Sequence, residues 1–309
     1  MNTKHTIWCL LALTYQADAA DINWVEDMSG DWFNNTNWVQ DQVPLPGDRV
    51  LFTDSQIFDP PLEVNIDNAG LGVVQFNDSL LLNDKIVFVD ASAGGQPEDV
   101  DDGLFFDVIQ ANGGGGVEVV FNVPVTANQM SSIRHGAVFN QPFSIDVIEA
   151  ISKHQDKWQL NAPGITPIKR LFIDEDRGPD GDTIDGFFQI NADQTINDLE
   201  LVWGSLQVGP DVTLTIGHLI YHVFTEQPDN NNLSPIIIGE NSRIQVEKLS
   251  LIDVLSGDVI TTENGTLGSV DNPDVDINSP IVEGAGIIVV CGPSIFANNF
   301  DQSPETCGS

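Results

Sequence analysis

The densest set of reactive side chains in this chain is a run of carboxylates, Asp174-Glu175-Asp176-Arg177-Gly178-Pro179-Asp180-Gly181-Asp182-Thr183-Ile184-Asp185, set between apolar Leu171-Phe172-Ile173 and Phe187-Phe188. Hard oxygen ligands separated by glycines are the donors that Ca²⁺ takes. Asp174, Asp176, Asp180, Asp182 and Asp185 are therefore the candidate metal ligands, with a solvated acidic loop as the competing reading. Lys169 and Arg170 stand just ahead of this run. A polysaccharide lyase removes the C5 proton of a uronate with a basic side chain beside carboxylate-bound Ca²⁺, so under an enzymatic reading Lys169, Arg170 and Asp176 form the catalytic group. A glycoside hydrolase would instead need two or three carboxylates converging on one cleft. The histidines are not spaced as a metal triad, and there is no Gly-x-Ser-x-Gly elbow.

Charge narrows the partners. Forty-six acidic residues, 33 of them Asp, face 11 Lys and Arg, giving a net charge of −35 and a pI near 4.1. Such a surface repels nucleic acid and anionic membranes. It also repels a polyuronate unless the few cations gather in one groove. The 41 % content of hydrophobic residues is that of a folded chain and not of a disordered acidic tail.

Residues 1–20 read as a secretory signal: Lys4 and His5 precede a short apolar core around Ile7-Trp8-Cys9-Leu10-Leu11, and Ala17-Asp18-Ala19 places small residues before a cleavage point. A secreted or cell-surface location is the expectation. Beyond residue 20 no apolar run approaches the roughly 20 residues of a membrane helix, so no membrane insertion is expected. Cleavage removes Cys9 and leaves Cys291 and Cys307. An even pair in an oxidising compartment predicts one disulfide closing the tail 291–309, a stabilisation of roughly 3 kcal/mol.

The elements that must carry these groups read as strands. Period-two alternation marks Leu62-Glu63-Val64-Asn65-Ile66, Val117-Glu118-Val119, Leu199-Glu200-Leu201 and Val212-Thr213-Leu214-Thr215-Ile216, with Gly, Asn, Asp or Pro between runs. One segment, Ser144 to Leu160, carries Ile145, Ile148 and Ile151 at helix-like intervals and reads as a short helix or capped turn. Strand-turn-strand units recur at Thr195–Ile216 and Ile236–Ile252, with Gly239-Glu240-Asn241 taking the place of Gly209-Pro210-Asp211. Units of about 20 to 25 residues fit the coils of a stacked β-solenoid. A β-sandwich with short strands is the alternative.

The head of the chain carries a more specific pattern: Trp24, then Gly30-Asp31-Trp32, Asn37-Trp38, Val43-Pro44, and Gly47-Asp48 before the strand Val50-Leu51-Phe52. This order resembles the start of secreted bacterial parallel β-helix proteins of the autotransporter-passenger type. The resemblance implies an all-β, single-domain, right-handed parallel β-helix, with a Trp-rich cap and first strand over 21–52 and a solenoid over 53–290. Large aromatics suit the covering of an open solenoid end, whose strand edges would otherwise template aggregation. The alternative for Trp24, Trp32 and Trp38 is a sugar-stacking platform. The expected function is a secreted, non-enzymatic solenoid serving as a cell-surface, matrix or adhesive element. An extracellular glycan is its candidate partner, and a Ca²⁺-dependent lyase or a glycoside hydrolase on the same scaffold is the alternative.

Overall fold

A computed structural model of the chain describes residues 20–25, 29–45, 47–52, 62–66, 74–75, 79–82, 86–89, 103–112, 118–133, 135–152, 157–175, 187–202, 204–223, 236–253, 259–260, 282–284 and 287–290. Residues 1–19 of the expected signal segment 1–20, Asp176–Asp185, Cys291 and Cys307 lie outside these residues.

The described chain is built of strands, with one 3₁₀ turn at Asn35–Asn37 and no α-helix. The strands alternate between two sheets as the chain advances, and almost every pairing is parallel. That is a stacked β-solenoid, as the strand punctuation predicted. The registers give coil lengths from 18 residues, Val125 to Phe143, to 46 residues, Ile236 to Val282. The expected 20 to 25 residues hold for only part of the chain, because pairing fixes the strands while the lengths between them vary at small entropic cost.

Each long strand bends at one place. Buried residues occur at Ala127 and Met130, Ile145 and Ile148, Ile168 and Leu171, Ile196 and Leu199, and Ile216 and Leu219. Two outward residues separate the members of each pair, and the ladder skips the first of them in every coil: Asn128, Asp146, Lys169, Asn197, Gly217. The strand turns a corner there, so each coil has three sides. This corrects the helical reading of Ser144 to Leu160, which forms the strands Phe143–Ser152 and Lys157–Leu160. A spacing of three between buried isoleucines is the mark of a corner in a strand as well as of a helix.

The interior is a column of stacked side chains. Phe88 and Phe121 lie parallel at 5.5 Å, Phe121 and Phe139 at 5.0 Å, and Phe139 meets Phe143 at 5.0 Å. Successive coils place like residues one above another, and such aromatic pairs add about 0.5–1.5 kcal/mol to their burial. A second column lies on the outside. Asn140 Nδ2 donates to Asn122 Oδ1 at 2.8 Å, Asn161 Nδ2 to Asn140 Oδ1 at 2.7 Å, and Asn191 Nδ2 to Asn161 Oδ1 at 2.6 Å. The backbone N–H of each of these four residues donates to a carbonyl of the preceding coil. The sequence carries this ladder as Phe121-Asn122-Val123-Pro124, Phe139-Asn140-Gln141-Pro142, Leu160-Asn161-Ala162-Pro163 and Ile190-Asn191-Ala192-Asp193. Asn161→Ala removes one donated and one accepted bond from the middle of the ladder. A loss of about 1–2 kcal/mol in urea unfolding is expected, against about half of that for the end residue Asn122→Ala.

The head closes the N-terminal end. The strand Asp21–Asn23 pairs in parallel with Arg49–Phe52. Along its other edge runs the segment 37–39 in the opposite direction, with Val25 N donating to Asn37 O and Val39 N to Asn23 O. Trp24, Trp32 and Trp38 are buried, with rings packed edge-to-face at 4.7 and 4.9 Å over Phe52. Gly30 lies directly under the amide of the buried Asn37, where a Cβ would collide, and Asn37 Nδ2 donates to Asp31 O at 2.7 Å. Gly47 turns at φ 95°, and Asp48 then accepts from Leu45 N and Ala20 N. The sugar-stacking alternative for the three tryptophans is corrected by this packing, since their indole faces are covered by one another and by Phe52.

Candidate functional site

The outer face of four consecutive long strands, Ile168–Glu175, Gln194–Leu201, Thr213–Val223 and Arg243–Asp253, brings together most of the described cations and histidines. The register puts Arg170, Asp198, His218 and Lys248 in one row. The next row on the same face holds Phe172, Glu200, Ile220 and Ser250. Adjacent strands are about 4.8 Å apart, so alternate charges meet their neighbours across the coils.

Lys169 and Arg170 occupy the corner of their strand and face outward. Lys169 Nζ pairs with Asp146 Oδ2 at 2.6 Å, and Arg170 Nη2 donates to Glu200 Oε2 at 3.1 Å. The Arg170 guanidinium also sits over the Phe172 ring, 5.6 Å from its centre. Asp174 stands five residues beyond Lys169 on the same strand, roughly 16 Å away at the rise of an extended chain. The two groups that are near in sequence are thus spread along one strand. Asp176, Asp180, Asp182 and Asp185 lie outside the described residues, and among the described residues no group of three or more His, Cys, Asp or Glu is placed to hold a metal ion.

Glu200 is shared. Its Oε2 receives Arg170, while its Oε1 lies 3.1 Å from His222 Nε2. His218 has a different set of neighbours: Nε2 lies 2.9 Å from Ser250 Oγ, and Nδ1 lies 3.6 Å from Asp198 Oδ1. Ser250 is buried, His218 keeps 22 % of its side-chain surface exposed and Asp198 keeps 55 %. Partial burial holds the pKa of His218 below its ordinary value near 6.5, the Lys248 ammonium lowers it further, and Asp198 opposes both. His218 is therefore neutral at pH 7, with one ring nitrogen free to accept.

This shift fixes the sign of a pH effect. The unfolded chain binds a proton at this position near pH 6.5 and the folded chain only at lower pH, so folding releases a proton between the two values and stability falls as pH drops through that window. His218→Gln is expected to flatten the decline of melting temperature between pH 7 and pH 5. Equal slopes for the two proteins would contradict the assignment.

Sequence reasoning singled out Lys169 and Arg170 but not Asp198, Glu200, His218, Lys248 or Ser250. Those five are brought together by register alone, across coils of 20 and 30 residues, and no local motif marks them. A separate open depression of about 260 Å³ is lined by Thr166, Gln194, Thr195, Thr213 and Thr215, on the other side of the corner. No protein-family model, curated protein or solved structure matches this chain.

Proposed function

We propose that the chain is a secreted β-solenoid whose role is structural, as a cell-surface, matrix or adhesive element, and that it does not cleave glycan backbones. The observation that carries this reading is the continuity of the larger sheet. Eleven parallel strands follow one another in it from Asp21–Asn23 to Ile287–Val290, a height of about 48 Å at the spacing of paired strands. An internal column of aromatics and an external ladder of asparagines run beside it, along the smaller sheet. The Trp-rich head, resembling that of secreted bacterial β-helix proteins, and the strongly acidic composition support an extracellular setting, with a surface glycan as partner. A lyase centred on Lys169 and Arg170 is less well supported, because each cation is already engaged by a carboxylate, Lys169 by Asp146 and Arg170 by Glu200. The test is incubation of the full chain with uronate-rich and neutral polysaccharides, followed for binding and for new reducing or unsaturated ends. Binding without new ends is the expected result, and release of fragments from any polysaccharide would overturn it.

A further inference from the structure

We propose that Asp198, His218 and Ser250 form an acyl-transfer centre on the outer face of the solenoid, which hydrolyses a carboxylic ester with Ser250 Oγ as nucleophile. The three residues come from three consecutive strands of the larger sheet, Gln194–Leu201, Thr213–Val223 and Arg243–Asp253. The His218 ring lies between the other two, Nε2 at 2.9 Å from Ser250 Oγ and Nδ1 at 3.6 Å from Asp198 Oδ1. A hydroxyl within hydrogen-bond reach of an imidazole, with a carboxylate on the far nitrogen, is the geometric signature of an activated serine. It is recognised by geometry and not by chain order. The mechanism uses the tautomer with the proton on Nδ1, facing the Asp198 carboxylate, and the lone pair on Nε2, facing Ser250 Oγ. The neutral state of His218 at pH 7 makes that lone pair available.

Lys248 completes the arrangement. It is in register with His218 on the neighbouring strand, is exposed, and its charge acts on the imidazole. An ammonium there stabilises the negative charge that develops on an attacked carbonyl oxygen. In the first half-reaction Ser250 Oγ bonds to the ester carbonyl carbon while its proton passes to His218 Nε2. The C–O bond to the alcohol then breaks, and the leaving oxygen takes that proton. In the second, water attacks the acyl carbon and gives a proton to His218, which returns it to Ser250 Oγ as the acyl–oxygen bond breaks and the carboxylic acid departs. Ser250 keeps 6 % of its surface exposed and the His218 side chain 22 %, a narrow opening that suits a short acyl group such as an acetyl ester. This inference goes beyond the structural role and does not depend on it, since ester cleavage leaves a glycan backbone intact.

The experiment uses the full chain, a fluorophosphonate probe and p-nitrophenyl acetate. Mass spectrometry is expected to place the probe on Ser250, and both Ser250→Ala and His218→Gln to lower acetate release by about 10²-fold or more. Asp198→Asn should lower it while leaving the melting temperature within the error of the wild-type value. Mapping of the adduct on the unaltered protein needs no variant to fold. Absence of an adduct on Ser250 would overturn the proposal. So would acetate release that survives Ser250→Ala but not His218→Gln, which would make His218 a base acting on water.

Discussion

Phe121→Ala is expected to cost about 3–5 kcal/mol in urea unfolding, the range for removing a large aromatic from a packed interior. Phe121 is fully buried and lies between Phe88 at 5.5 Å, with rings 5° from parallel, and Phe139 at 5.0 Å. The deletion empties space that two neighbouring coils share, and neither can fill it without leaving its own register. In a solenoid each coil is stabilised by the coils on either side, so the damage is concentrated around the strand Glu118–Phe121 and Gly136–Phe139. The adjacent Val120 is only half-buried and faces outward, and Val120→Ala should cost less than about 1 kcal/mol. A loss below about 1 kcal/mol for Phe121→Ala would show that the aromatics are not stacked as described.

Trp38→Ala should cost a similar amount and add a second effect, self-association. The Trp38 ring packs against Trp24 at 4.7 Å and Trp32 at 4.9 Å, and its Nε1 donates to Trp32 O at 2.8 Å. Its backbone belongs to the segment that runs antiparallel along the edge of Asp21–Asn23. Losing the ring frees that segment and uncovers a strand edge open to a second chain. Species larger than the unaltered protein in size-exclusion chromatography are the expected outcome for Trp38→Ala, with Trp38→Phe eluting close to the unaltered protein. An unchanged elution profile together with unchanged stability would remove the capping role.

How far the fold could be read from the sequence depends on what each signal reports. Alternation marked Leu62–Ile66 and Val212–Ile216, which fall on the strands Leu62–Asn65 and Thr213–Val223, because a strand's period is local. The head motif was legible because its parts touch within thirty residues: Gly30 under Asn37, Trp38 on Trp32, Asp48 on Leu45. Ser144 to Leu160 misled because a corner inserts two outward residues, Asp146 and Val147, between Ile145 and Ile148. The recurrent apolar-Asn turns at 122, 140, 161 and 191, the first three followed by x-Pro, were visible in the sequence but irregularly spaced, at 18, 21 and 30 residues, so a fixed-period search passes over them. The row Arg170, Asp198, His218 and Lys248 was not legible at all. Its members sit at intervals of 28, 20 and 30 residues, and only the variable coil lengths bring them into line.

The aromatic column, the capped head and the outer-face site all depend on successive coils stacking in parallel in the registers described. Gln159 and Gln189 are Cα partners on neighbouring strands of the smaller sheet, and the Gln159 amide donates to Gln189 Oε1 at 3.0 Å. Gln207 follows Gln189 on the next strand. Cysteines placed at 159 and 189 would stand about 4.8 Å apart, inside the range a disulfide spans, whereas 159 and 207 would be roughly twice as far apart and outside it. Mild oxidation followed by peptide mapping is expected to find the 159–189 bridge and no 159–207 bridge. A chain that joins 159 to 207, or leaves 159 and 189 reduced, would contradict the stacked register and the site built on it.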